Sequence, residues 1–199
     1  DEVMIIWDVE TGSIINSLDL NQIPNIPKGV HSIACDSTFE KVALAEFGGI
    51  HVISFLTDQV YSFEVNNPKS ITFSPDGRYL VATSADGINF WDFVEGDTAN
   101  MNLSDGIDPR VSQIAFSSDG RQVVFVFDNI IGLLDISDGS NVQTFGKSDS
   151  LYVGVSFCND DKYIATISEE GIIMIWDVKT LTEVAANYEE IPDVIHHDV

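Results

Sequence analysis

One phrase returns about every forty residues, and that period constrains the fold more than any other feature of the chain. Phe73-Ser74-Pro75-Asp76-Gly77-Arg78 comes back as Phe116-Ser117-Ser118-Asp119-Gly120-Arg121 and as Phe157-Cys158-Asn159-Asp160-Asp161-Lys162. After each phrase come an apolar run, a second polar turn and a closing dipeptide. The dipeptides are Trp91-Asp92, Leu134-Asp135 and Trp176-Asp177, and Trp7-Asp8 stands alone near the start. A fixed period in this range means one supersecondary unit stacked on copies of itself. Function is then to be sought on surfaces and loops.

The unit reads as four short strands. In the second full unit they are expected at residues 70–73, 79–83, 88–91 and 98–103. The first three are rich in aromatic and β-branched residues between Gly, Pro, Asp and Asn. The fourth has only Thr98 of that kind and follows from the register. Leu80-Val81-Ala82 and Ile172-Ile173-Met174-Ile175 are continuous apolar runs, which predicts strands covered on both faces. Gly12, Gly96 and Gly139 fall where a hairpin loop needs φ > 0. The fourth copy has Leu181 there, so its turn is expected to differ. Asp86, Asp128 and Glu170 recur at equal spacing in the second turn, and Pro27, Pro68, Pro109 and Pro192 mark the joints.

With these phrases in register, the chain resembles the WD-repeat family of β-propellers, whose blades are four-stranded antiparallel sheets. The resemblance implies an all-β fold: a half blade at 1–20 and blades at about 22–65, 66–103, 104–146 and 147–188. Residues 189–199 would start a further blade or form a frayed tail. Propellers close with 4–8 blades, and seven blades need roughly 300 residues. About four and a half blades of a larger, seven-bladed ring are therefore expected, and uncovered blade faces would favour self-association. The resemblance also implies structural roles for Trp7, Asp8, Trp91, Asp92, Asp135, Trp176 and Asp177. Family members often build a hydrogen-bond tetrad from a turn Asp, an inter-blade His, a second-strand Ser or Thr and the Trp. Asp86, Thr83 or Ser84, and Trp91 are candidates here. The loops before the second, third and fourth full units lack histidine, so apolar packing is expected to dominate. His196 or His197 would hold the histidine place before a further blade.

Thirty-two acidic residues against nine basic ones give a net charge of −23. Nucleic acid and anionic membrane are disfavoured as partners, because both need clustered Lys and Arg. Solubility is the plain reading of the charge, and a protein partner with a basic surface is the sharper one. No apolar run nears the ~18 residues of a membrane span, and Val3–Trp7 is too short for a signal-peptide core. A soluble protein is expected, with the cytoplasm slightly favoured. The chain opens on Asp1, as a processed chain or an excerpt would. Cys35 and Cys158 align with the place of Ser74 and Ser117. Equivalent places three repeats apart exceed the ~4.4–6.8 Å Cα separation of a disulfide, so both are read as free and semi-buried.

Little in the sequence suggests chemistry. His196-His197-Asp198 could be a metal site, but a loop at the chain end accounts for it. The Asp-Gly pairs suit β-turns better than a calcium loop. No nucleophile elbow, phosphate loop or Cys-His pair at useful spacing is present. No catalytic residue, cofactor or metal is assigned. The basic residues are more ordered. Lys28, Lys69 and Arg110 each follow a joint proline, whereas Arg78, Arg121 and Lys162 each follow the first turn. In a propeller the two sets fall on opposite faces, and Glu46, Asp86, Asp128 and Glu170 would share the first. Long stems covering apolar surface would explain either set. The functional reading is a partner-binding face bearing Lys28, Lys69, Arg110, Asp86, Asp128 and Glu170. The chain is thus expected to be a non-enzymatic protein-interaction scaffold. The alternatives are a sensor or assembly segment of a multidomain signalling protein, or a small-molecule-binding propeller.

Overall fold

A computed structural model of the protein describes residues 3–22, 29–57, 59–93, 99–102, 111–136 and 142–186. These residues form eighteen strands in five antiparallel sheets. Strands β1 (Val3–Trp7) and β2 (Ile14–Asp19) make a two-stranded half blade, followed by a 3-10 turn at Leu20–Gln22. The first full blade is β3 (Ser32–Cys35), β4 (Lys41–Glu46), β5 (Gly49–Ser54) and β6 (Gln59–Glu64). The second is β7 (Ser70–Phe73), β8 (Tyr79–Ser84), β9 (Gly87–Asp92) and β10 (Ala99–Asn102). The third is β11 (Val111–Phe116), β12 (Gln122–Phe127), β13 (Ile130–Asp135) and β14 (Val142–Phe145). The fourth is β15 (Tyr152–Cys158), β16 (Tyr163–Ser168), β17 (Ile173–Asp177) and β18 (Thr182–Ala186). Within each sheet every strand pairs with its neighbours in sequence, and the described sheets do not close into a ring.

The first turn of the first three full blades is built by side-chain capping. Ser74 Oγ donates to Asp76 at 2.5 Å and accepts from the Tyr79 amide at 2.8 Å. Gly77, at φ 68°, closes the turn by donating its amide to the Ser74 carbonyl. Ser117, Asp119, Gln122 and Gly120 repeat the arrangement. In the first full blade Asp36 takes the serine place, accepting from the Lys41 amide at 2.9 Å, and Phe39 takes the glycine place at φ 57°. Cys35, paired with Val42, therefore stands where Phe73 and Phe116 stand, one residue earlier than the sequence alignment puts it. It is exposed rather than semi-buried. The capping residue fixes the register, and a cysteine cannot cap as Asp36 does. Cys158 does hold the serine place, paired with Tyr163.

Two further turn expectations are corrected. Leu181 does not change its turn: it adopts φ 54° and donates its amide to the Asp177 carbonyl, as Gly12 at φ 66° does to Asp8. Asp177 Oδ1 accepts from the Lys179 and Thr180 amides at 2.9 Å, and this capping holds the left-handed leucine in place. Nor are the second-turn acids in register. Ser84 pairs with Gly87, Glu46 with Gly49 and Phe127 with Ile130 across four-residue turns, whereas Ile167 pairs with Ile173 across a longer one. Asp86 is thus the third residue of its turn and Asp128 the second. Equal sequence spacing survives because loop lengths elsewhere compensate.

Strand alternation sends each blade's two faces to different neighbours. Leu80, Ala82 and Trp91 pack on Ala43, Ile50 and Val52 of the first full blade. Val81, Ile88 and Phe90 pack on Val123, Phe125 and Leu134 of the third. Val124, Ile131 and Leu133 meet Ile164 and Trp176 of the fourth. Val42, Leu44 and Ile53 meet Met4 and Leu20 of the half blade region. So in the four full blades the face carrying the closing position (Ile53, Trp91, Leu134 and Trp176) packs against the sheet that precedes it. The run Leu80-Val81-Ala82 is fully buried. Residues 172–175, expected to be covered on both faces, are not: Ile173 on β17 and Ile172 just before it stay over one-third exposed.

The tetrad expectation is also corrected. Ala82 faces Asn89, two residues before Trp91, and Thr166 faces Met174, two residues before Trp176. The second-strand Ser/Thr place is therefore Thr166 in the fourth blade and Ala82 in the second. Trp176 Nε1 donates to Thr166 Oγ1 at 3.0 Å. Thr83 instead accepts from the Ser70 amide, and Ser84 accepts from the Asn89 side chain at 3.0 Å.

Candidate partner-binding face

The end of the blades that carries the second turns also carries the inter-blade loops, and backbone hydrogen bonds join them. After β6 the loop doubles back: the Asn67 amide donates to the Phe47 carbonyl at 3.2 Å, and the Ala85 amide donates to the Asn66 carbonyl at 2.9 Å. One loop thus holds the second turns of two blades. The same stitching recurs between the third and fourth blades. Ser148 and Tyr152 donate to the Asn129 and Asp128 carbonyls, and Glu169 donates to Leu151. Asn67 and Asp128 adopt φ 51° and 49° to make these turns, a conformation Asn and Asp tolerate well.

Lys69 lies at this end, its amide bonded to the Thr83 carbonyl at 2.8 Å and its side chain exposed. Its register equivalent in the first full blade is His31, whose amide bonds to the Ala45 carbonyl at 3.0 Å. Asp86 and Glu170 are exposed and Asp128 is half-buried at the same end of their sheets. Lys28 and Arg110 lie outside the described residues, as do Gly96, Gly139 and residues 189–199 with His196 and His197.

The opposite end differs in its electrostatics. Arg78 forks onto Asp92, with Nη2 at 2.8 Å from Oδ2, and lies 4.8 Å over the Tyr79 ring. The Asp92 hydrogen bond pushes the guanidinium pKa up. Arg121 is 3.9 Å from Asp119, Lys41 is 3.5 Å from Asp36, and Lys162 lies 5.0 Å over the Tyr163 ring. These cations are spent on local partners. Lys69 forms no ion pair with a described residue.

Sequence reading missed two features. Phe47, in the tight turn Glu46-Phe47-Gly48-Gly49, is 72 % exposed with its ring 5.3 Å from that of His31. A large apolar residue beside two glycines was the available signal. The second is His51, a buried polar residue on β5. Its Nδ1 lies 2.9 Å from Ser62 Oγ, and Nε2 has no hydrogen bond and lies 3.8 Å from Glu46. Burial pulls its pKa down, opposed by Glu46. Among the described residues no group of three or more His, Cys, Asp or Glu is placed to hold a metal, and no helix is long and apolar enough to cross a membrane.

The closing tryptophans behave unequally. Trp91 is 1 % exposed and Trp176 6 %, whereas Trp7 is 54 % exposed. Asp8 accepts from the Thr11 amide at 2.7 Å, matching the capping by Asp177.

Known proteins share the sequence repeat. The family model for the WD domain, G-beta repeat, matches residues 57–92 and 139–177. The chain is 24% identical over 115 residues to pre-mRNA-processing factor 19 homolog 2 of Arabidopsis thaliana, covering 57% of the chain and 22% of that relative. It is 25% identical over 124 residues to the target of rapamycin complex subunit wat1 of Schizosaccharomyces pombe, covering 60% and 38%. It is 25% identical over 112 residues to WD repeat and HMG-box DNA-binding protein 1 of Mus musculus, covering 54% and 10%. The chain spans well under half the length of each of these relatives. Four-stranded antiparallel sheets, capped turns and the two matched segments together show that the chain carries WD repeats.

Proposed function

We propose that the chain is a non-enzymatic scaffold that binds a protein partner through the end of its blades bearing the inter-blade loops and second turns. The observation that carries this reading is the contrast between the two ends. Arg78, Arg121 and Lys162 are engaged with carboxylates or rings beside them, whereas Lys69 stands exposed among Asp86 and other acids. Rigid sheets with variable loops are where binding residues concentrate. A sparse pattern of cations on an acidic field steers a partner and sets its orientation. One relative is by name a complex subunit and another a DNA-binding protein. For this chain a protein partner is favoured over nucleic acid, because the net charge of −23 repels phosphate.

The test is charge reversal. Lys28→Glu, Lys69→Glu and Arg110→Glu together should weaken binding of an isolated partner and change its salt dependence, with the unfolding midpoint nearly unchanged. Unaltered binding after that triple change, together with loss on reversing Arg121 and Lys162, would place the contact at the other end. Stoichiometric turnover of a substrate by the purified chain would overturn the scaffold reading itself. A second reading, an assembly segment of a larger protein, is favoured by the 10–38% coverage of the relatives above.

A further inference from the structure

Between the second turn of the first full blade and that of the second lies an open cleft of about 510 Å3. Phe47 forms one wall, Glu64 and Asp86 contribute carboxylates, and Asn66 lies between. Among the described residues no basic side chain lines it. Phe47 is 72 % exposed, but its backbone is tied down: its carbonyl accepts from Asn67, and its ring leans on His31. The Asn66 side chain reaches Asp86 at 3.4 Å. A fixed aromatic face beside two exposed carboxylates is complementary to one kind of group: a cation on an apolar stem.

We propose that this cleft receives an arginine or lysine side chain of a protein partner. The alkyl stem would cover Phe47, which otherwise faces water. The guanidinium or ammonium would lie over the ring and between Glu64 and Asp86, gaining cation–π attraction and charge-assisted hydrogen bonds. Guanidinium fits better than ammonium, because its planar fork can stack on the ring and bond a carboxylate at once. This inference rests on the reading that the second-turn end is the binding face, and it names the chemistry of the contact.

The experiment is an amide NMR titration of the labelled chain with the peptide acetyl-Gly-Gly-Arg-Gly-Gly-amide, its lysine analogue and its glutamine analogue. The arginine peptide should shift the amides of Phe47, Gly48, Asn66 and Asp86. The lysine peptide should do so more weakly, and the glutamine peptide should not. Phe47→Ser should raise the dissociation constant roughly twofold to fivefold, the scale of an exposed cation–π contact. Glu64→Gln with Asp86→Asn should abolish the shifts and leave the fold intact, since both residues are exposed. Raising salt from 0.05 to 0.5 M should weaken binding, since exposed charges are screened over about 10 Å or less. Equal shifts with the glutamine peptide, shifts centred on the opposite turns, or none at all would overturn the proposal. If no peptide binds yet the triple charge reversal still weakens the whole partner, the cleft inference alone falls. If the partner binds at the opposite end, the face reading falls whatever the peptides do.

Discussion

Trp91 and Trp7 each end a strand and precede an aspartate, but Trp91 is 1 % exposed and Trp7 54 %. The difference lies in what their faces meet. Trp91 sits on a face covered by the first full blade, 5.1 Å from the Phe63 ring. Trp7 shares an outward face with Val3 and Ile5, which are 48 % and 42 % exposed. At the other end Ile167 and Ile173 of the fourth blade are similarly uncovered. The same residue in the same motif is a core anchor or a surface group depending on a neighbouring sheet. The WD dipeptide therefore specifies a place in a blade, and the stack decides what that place contributes.

The widest gap is expected from truncating the two tryptophans. Trp91→Ala should destabilise by roughly 3–5 kcal/mol, as large buried aromatics do. Trp7→Ala should cost less than about 1 kcal/mol, the scale of exposed positions. Urea midpoints read both, and equal shifts would erase the comparison. Glycines give a second contrast. A Cβ at Gly132 would overlap the Phe125 ring inside the third blade, so Gly132→Ala should cost roughly 1–3 kcal/mol through overpacking. A Cβ at Gly12 meets nothing within 4 Å, and its cost, about 1 kcal/mol, would come from the left-handed backbone alone. A smaller effect is expected from Thr166→Val, which leaves Trp176 Nε1 without its partner at a loss of about 1 kcal/mol. An unchanged midpoint would mean water replaces the bond.

The smallest effect should appear with pH. His51 lies opposite Leu44, on the face that meets the half blade region. Its folded pKa is lowered from 6.5 by burial, against the pull of Glu46. Below that value the unfolded chain binds the proton first, so stability should fall as pH drops through about 6.5. His51→Gln should flatten this slope. A wild-type chain showing no slope would mean that water reaches His51, and hence that the half blade covers it loosely.

Much of this architecture was legible in the sequence because the turns carry their own chemistry. Ser74 with Asp76 and Ser117 with Asp119 cap as the repeated phrase implied, and the strands after them follow. Strands β7 and β8 begin where Gly, Pro and Asp punctuation placed them. Register was less legible. Asp36 caps at the place the sequence alignment gave to Cys35, and Phe39 and Leu181 take glycine's backbone conformation, so identity at a turn position misled. The candidate face was legible only in outline. Lys69, Asp86, Asp128 and Glu170 do share one end of the sheets, because alternate hairpins in a meander must. That Phe47 lines a cleft there depends on how two blades meet, and no single repeat encodes that.

Blade-on-blade order has a further consequence for how the molecule opens. Each sheet touches chiefly the one before and the one after, so its stability is close to a sum of intrinsic and nearest-neighbour contributions, as in a linear array. Among the described sheets, the three inner ones are flanked on both sides, and β1–β2 and the β15–β18 sheet on one. Amide exchange should therefore be slowest in β8, β9, β12 and β13 and should quicken towards β1 and β18. The stitched loops sharpen that gradient. Because the segment around Asn66 is bonded to turns on both sides, one blade cannot release its amides there without loosening the next, so exchange should step between blades in units rather than residue by residue.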